Sequence, residues 1–180
     1  KERIMIKKLQ LKFIFIATVA VMIVLSTFIG LTNSVMYQRT LSNVFQVAQY
    51  IAENDGVMPD KNKQHKDAPD ISTEERYRVR FFTVTLDEND EVESTDFGRI
   101  AAVSEEDLDR FIEEVRSNGY KKSHFTYHGS SYAYAVSEMD SGKLLVFVDC
   151  TSEVETAEEF RTSSYLLGLL CLLFFVLFVS

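Results

Sequence analysis

The chain has 180 residues, a net charge of −8 at pH 7 and two cysteines. An acidic chain is a poor ligand for nucleic acid or for anionic lipid, because both carry negative charge. Two cysteines are too few to hold together a small disulfide-rich secreted domain. The length allows one or two domains.

A long uncharged apolar segment lies near the N-terminus, from Phe13 to Leu31. Twelve of its nineteen residues are Val, Ile, Leu or Phe. Because roughly 20 apolar residues in a helix span the ~30 Å hydrocarbon core of a bilayer, the segment predicts a transmembrane helix over residues 13–32. A cleaved signal peptide is the alternative, but the apolar run exceeds the roughly 7–15 residues of such a leader and no clear cleavage site follows.

The residues before this segment predict its orientation. Residues 1–12 contain five basic residues and one acidic residue. Basic residues close to a first membrane span stay on the cytoplasmic side. We therefore expect residues 1–12 to form a cytoplasmic leader and the chain beyond residue 32 to lie outside the cell.

A second apolar segment, from Tyr165 to Val179, lies at the end of the sequence and is followed by Ser180. It is slightly short for a complete span, so we interpret residues 164–180 as a truncated second transmembrane helix and the chain as the front part of a longer protein. Residues 33–163 are then an extracytoplasmic domain in a multi-pass protein of the cell membrane.

Helical periodicity continues beyond the first span. Val44, Ala48 and Ile51 keep the spacing of one helix face up to a stop at Asn54-Asp55-Gly56. This apolar stripe has to pack either on the domain that follows or on the same helix of a second subunit. Val57 to Thr73 contains both prolines and reads as a polar loop, with a short helical turn starting near Ser72.

The remaining pattern predicts five strands and a helix, which indicates an α+β fold with an antiparallel sheet and the long helix packed on it. Ser104-Glu105-Glu106-Asp107 resembles a capping box before an amphipathic helix that ends at Gly119. A helix from Ser152 to Ser163 leads into the second span. The predicted strands are Tyr77–Leu86, Val92–Thr95, Lys122–Tyr127, Ser131–Ser137 and Lys143–Asp149.

No catalytic motif, phosphate-binding loop or convincing metal site is recognisable. His124 and His128 are four residues apart where a predicted strand ends at a glycine turn, which suits surface histidines better than metal ligands; an alternative is that they sense pH together with His65. Cys150 is interpreted as a buried small residue, with an intermolecular disulfide as the alternative.

Basic and aromatic residues supply the candidate ligand site. Arg76, Arg78 and Arg80 alternate along a predicted strand, where they require either acidic partners or a bound anion. Tyr residues on two later strands are either a pocket wall or core. The candidate ligand-binding residues are Arg78, Arg80, Tyr127, Tyr132 and Tyr134; no catalytic or metal-binding residue is assigned.

Several segments carry a family resemblance: residues 80–84, 86–92, 100–103, 132–134 and 145–150. With this layout, the chain resembles the sensor region of bacterial, Firmicutes-type, membrane-bound histidine kinases with an extracytoplasmic PAS-like (PDC or Cache-type) domain. The resemblance implies a PAS-like five-stranded antiparallel sheet between two transmembrane helices. It does not identify a ligand, since the charged pockets of citrate-binding or dicarboxylate-binding relatives have no residue-by-residue match here.

The resemblance also implies the function. The expected protein is a homodimer that senses a small ligand or an envelope protein outside the cell and passes the change through its two membrane helices. ATP, Mg²⁺ and a response regulator would belong to a cytoplasmic kinase part absent from this chain, which itself needs no cofactor. The alternatives are an envelope structural or assembly protein and the input region of a chemoreceptor or cyclase.

Overall fold

A computed structural model describes residues 2–59 and 72–179. The described elements are α1 (Glu2–Ala52), α2 (Thr73–Arg78), β1 (Phe81–Leu86), β2 (Val92–Asp96), α3 (Leu108–Ser117), β3 (Ser123–Tyr127), β4 (Ser130–Met139), β5 (Gly142–Asp149) and α4 (Thr151–Val179). A 3₁₀ turn, Glu105–Asp107, precedes α3. The chain divides into two compact units: Thr40–Val154, called the sheet unit here, and a helical unit of Lys1–Arg39 with Glu155–Ser180.

The sheet unit is built on a five-stranded antiparallel sheet in the order β2-β1-β5-β4-β3. Central strand β5 is buried along most of its length because it pairs with β1 on one side and β4 on the other. The predicted α+β class, with an antiparallel sheet of five strands, is confirmed.

One face of the sheet is covered by the C-terminal part of α1. Val44, Ala48 and Ile51 of α1 pack in one hydrophobic cluster with sheet residues such as Phe81 and Val146. The helix ends as predicted, with Asp55 and Gly56 at positive φ and the Gly56 N–H donating to the Ile51 carbonyl at 3.0 Å. Of the two packing arrangements that the sequence leaves open for this stripe, packing on the domain is the observed one.

The other face is covered by α3. Its buried residues are the four that the periodicity predicts: Leu108, Phe111, Ile112 and Val115. They pack in a second cluster with sheet residues that include Phe82, Tyr134 and Phe147. The sheet unit therefore has two separate cores, one on each face of the sheet.

The start of β1 differs from the prediction. The strand begins at Phe81 rather than at Tyr77, and residues 73–78 form helix α2. Arg76 and Arg78 lie in the last turn of this helix, where cations interact favourably with the helix dipole. The predicted alternation of Arg76, Arg78 and Arg80 along one strand is therefore wrong. Most of the predicted polar loop, including His65, lies outside the described residues.

The helical unit contains the N-terminal part of α1 and most of α4. Both helices are long and apolar enough to cross a membrane, and their most apolar windows are not buried. Thr18 and Thr27 donate their hydroxyls to carbonyls one turn back, at 2.8 Å, so these groups need no water partner. Gly168 of α4 lies against Ile29 of α1 so closely that a Cβ there would collide with the isoleucine side chain.

Candidate functional site

The structure divides the candidate residues between two regions of the sheet unit. Tyr127, Tyr132 and Tyr134 lie on the neighbouring strands β3 and β4. Arg80 directly precedes β1, whereas Arg78 ends α2 and is exposed. Tyr132 is opposite Asp149 in the β4–β5 ladder, and Asp149 forms an ion pair with Arg80. Arg80 and Tyr132 are thus brought to the same end of the sheet, and Arg78 makes no described ion pair there.

Tyr132 and Tyr134 are part of the aromatic core under α3. Both are almost completely buried. The Tyr132 ring lies 5.0 Å from the Phe111 ring in an edge-to-face arrangement, and the Tyr134 ring lies 5.8 Å from Phe147. Burial raises the pKa of both phenols, so they stay neutral at physiological pH. In this state their rings fill the core and do not line an open surface.

Tyr127 connects the sheet to the start of α3. Its hydroxyl donates to Asp107 Oδ1 at 2.7 Å, and Asp107 Oδ2 accepts the Ser104 N–H and hydroxyl at 2.8 and 2.9 Å. The backbone hydrogen bond from Ser104, helped by the one from Tyr127, lowers the pKa of Asp107. The same Asp107 bond raises the pKa of Tyr127. Asp107 therefore joins the capping of the 3₁₀ turn at Ser104 to a residue of β3.

This arrangement predicts an acid-sensitive contact. Because the Asp107 pKa is below its ordinary value of 3.8 in the folded state, its contribution is present above about pH 4 and is lost as pH falls through the lowered pKa. When Asp107 is replaced with asparagine, the free energy of unfolding should fall less steeply between about pH 4 and pH 2 than it does in wild type. Urea midpoints of the chain in maltoside micelles, measured over this range, test the prediction. The matched control is Asp140→Asn, which replaces an exposed residue of a hairpin turn. The urea midpoints of this variant should change with pH as those of wild type do.

Asp149 connects the sheet to α4. Its contacts with Arg80 and Thr151, together with those of Ser131, are called the α4 joint here. Its side chain is only 4% exposed, yet it pairs with Arg80 at 2.8 Å. Its other oxygen accepts the backbone N–H and the hydroxyl of Thr151 at 3.0 and 2.6 Å. The carboxylate thereby satisfies an otherwise unpaired N–H in the first turn of α4, as helix-capping side chains do.

The α4 joint also includes β4. The Ser131 N–H donates to the Thr151 hydroxyl at 3.0 Å, and the Cys150 N–H donates to the Ser131 carbonyl at 2.8 Å. Cys150 is completely buried, and burial raises the pKa of its thiol to about 12. A protonated, inaccessible thiol is unreactive, which favours the structural interpretation of Cys150. Thr151 in the first turn of α4 is thus bonded directly to β4 and to the end of β5, and Asp149 links it indirectly to Arg80 before β1.

From the sequence, Arg80 is assigned to the candidate site, but no role is assigned to Asp149 or Thr151. The local signal was present, since an Asp and a Thr stand between a predicted strand and a predicted helix, as capping residues do. The contacts of Asp149 with Arg80 and of Thr151 with Ser131 depend on strands that pair over long sequence separations, which no local pattern contains.

The described residues offer no metal centre. No group of three or more His, Cys, Asp or Glu side chains within them is placed to hold a metal ion. The His124 ring lies 6.4 Å from the Phe45 ring, and the His128 ring packs against Tyr127 at 4.2 Å. Both histidines make aromatic contacts in the sheet unit.

The chain was compared with protein-family models, with curated proteins and with solved structures, and none of the three comparisons returned a match.

Proposed function

We propose that the chain is the extracytoplasmic input region of a transmembrane sensor histidine kinase. The observation that carries the proposal is how the two long apolar helices join the sheet unit. The last turns of α1 form part of the core on one sheet face, and Thr151 in the first turn of α4 is bonded to β4 and to Asp149 at the end of β5. Helix α1 continues without interruption to Ala52, and α4 begins at Thr151, two residues after the end of β5.

The membrane arrangement is part of the proposal. The exposed apolar surfaces of α1 and α4 are costly in water and favourable in a bilayer. Basic residues before the first helix favour a cytoplasmic N-terminus. The sheet unit then lies outside the cell, and both ends of the chain point toward the cytoplasm. The antiparallel sheet with a long helix on one face supports the PAS-like assignment.

The proposed mechanism is mechanical. A stimulus that binds one arrangement of the sheet unit better than another shifts the population of the two arrangements. Because the first turn of α4 is bonded to the sheet and α1 is part of its core, a change in sheet packing displaces one helix relative to the other. Shifts of about 1–2 Å are the usual scale of such signals. The free energy available is the difference in affinity of the stimulus for the two arrangements.

The expected partners follow from this role. A second copy of the chain would form the homodimer, and a cytoplasmic kinase part would bind ATP and Mg²⁺ and transfer phosphate to a response regulator. The stimulus would be a small ligand or an envelope protein. The sheet unit would supply no catalytic residue.

Phosphorylation of the complete gene product tests the proposal. Membranes from cells that express it are incubated with radiolabelled ATP, with membranes from non-expressing cells as the control. We expect an acid-labile, base-stable phosphohistidine on this protein. A gene product without phosphohistidine, or one that carries a methyl-accepting or cyclase domain, would contradict the kinase assignment.

A further inference from the structure

Arg76 of α2 is a buried cation with two unused donors. Its side chain is almost completely buried, and Nη1 donates to the Pro59 carbonyl at 3.0 Å. Nε and Nη2 are shielded from solvent and have no hydrogen-bond partner among residues 2–59 and 72–179. No acidic side chain that the structure describes forms an ion pair with Arg76 either.

This arrangement is unfavourable unless an anion completes it. A guanidinium group cannot release its proton near neutral pH, so burial cannot neutralise it. A buried charge without a counter-charge is among the most costly features in a protein interior. A single neutral carbonyl, that of Pro59, does not supply the missing charge.

The geometry of the free donors indicates the kind of anion. Nε and Nη2 lie on the same edge of the guanidinium plane and present two parallel N–H groups. This edge matches two oxygens of one carboxylate or phosphate in a bidentate contact. The Nη1 contact with Pro59 is on the other side and leaves the two donors of this edge without a hydrogen-bond acceptor among the described residues.

Further positive charge lies close to Arg76. Arg99 donates through Nη1 to the Arg76 carbonyl at 3.0 Å, and its guanidinium carbon is 5.4 Å from the centre of the Phe81 ring. Arg78 follows two residues later on α2. None of these three arginines forms an ion pair with a described carboxylate, although the chain as a whole is acidic.

We propose that the Nε and Nη2 edge of Arg76 is a side-on binding site for a small oxyanion, with Arg99 adding to the positive potential around it. Because both donors are shielded from solvent, binding requires a local rearrangement around the guanidinium group. The site lies next to the sheet face that α1 covers, because Phe81 belongs to that core. It is separate from the aromatic core under α3, and it does not depend on the proposed kinase output.

Thermal unfolding of the whole chain in maltoside micelles tests the site. The probes are inorganic phosphate and acetate, each compared with chloride at equal ionic strength, and the readout is tyrosine fluorescence, since the chain has eight tyrosines and no tryptophan. At about 100 times its dissociation constant, a bound probe should raise the wild-type midpoint by about 10 °C. The Arg76→Met variant should not respond, whereas Arg110→Met, which removes an exposed charge from α3 on the other sheet face, should respond like wild type.

The buffer without oxyanion makes the test sharper. There Arg76→Met should unfold at the same temperature as wild type or higher, because it removes an uncompensated buried charge. If Arg76→Met does not fold, Arg76→Lys takes its place in the test. Lysine keeps the charge but lacks the two parallel N–H groups, so the affinity for the probe should fall at least tenfold.

Two results would overturn the proposal. One is a lower midpoint for Arg76→Met than for wild type without oxyanion, which would mean that an acidic side chain of this protein, such as Asp60, Asp67, Asp70 or Glu75, already supplies the counter-charge. The other is an equal response of wild type and Arg76→Met to both probes, which would make the effect a general one of the salt.

Discussion

Replacing Phe111 with alanine is expected to lower the free energy of unfolding of the sheet unit by about 4 kcal/mol, the usual range for deleting a buried aromatic ring. Phe111 is completely buried at the centre of the core under α3. Its ring lies between 5.0 and 5.3 Å from five other rings, those of Phe82, Phe125, Tyr127, Tyr132 and Phe147. Its removal leaves a cavity that these rings cannot close, because they are held by four different strands.

The measurement is the thermal midpoint of the chain in maltoside micelles, which should fall by about 15 °C or more. Tyr77→Ala is the control, since Tyr77 is an aromatic residue of the same unit with 74% of its surface exposed. It should change the midpoint by only a degree or two. A Phe111→Ala midpoint within that range would mean that α3 is not packed on the sheet as described.

Replacing Asp149 with alanine is expected to cost about 3 kcal/mol, because hydrogen bonds to a charged group and a helix cap are lost together. The variant loses the Arg80 ion pair and both bonds to Thr151. Arg80 is 55% exposed and is solvated after the change, so the loss falls mainly on the first turn of α4. Hydrogen exchange of the amides of residues 150–154 should therefore increase more than exchange in the centre of β5.

Glu153→Ala is the matched control for Asp149. Glu153 is an exposed acidic residue in the same first turn of α4. Its replacement should cost less than about 0.5 kcal/mol and leave the exchange pattern unchanged. Equal effects of the two substitutions would show that negative charge near the helix N-terminus, rather than the contacts of Asp149 with Arg80 and Thr151, stabilises the first turn of α4.

The local sequence pattern predicted most of the architecture. The spacing of Leu108, Phe111, Ile112 and Val115 indicated which face of α3 is buried, since a helix repeats every 3.6 residues. The strands that follow α3 were also located by their bounding turns. These features depend on neighbours in the sequence, so a local pattern contains them.

The features that the sequence did not predict depend on distant residues or on competing patterns. Alternation of Arg76, Arg78 and Arg80 looked like a strand, but two of these residues lie in a short helix. The candidate tyrosines Tyr132 and Tyr134 were recognised, yet their burial under α3 follows from the packing of Phe111. The pairing of Arg80 with Asp149 requires β1 and β5 to be neighbours, although they are more than fifty residues apart in the chain.

The most direct test of the account is labelling of single cysteines in intact cells with a membrane-impermeant maleimide. The background carries Cys171→Ser only, because Cys150 is completely buried and should not react. Ser141→Cys in the exposed turn before β5 should label in intact cells, and Lys8→Cys should label only after the membrane is permeabilised. Labelling of Lys8→Cys but not Ser141→Cys in intact cells would place the sheet unit in the cytoplasm and contradict the account.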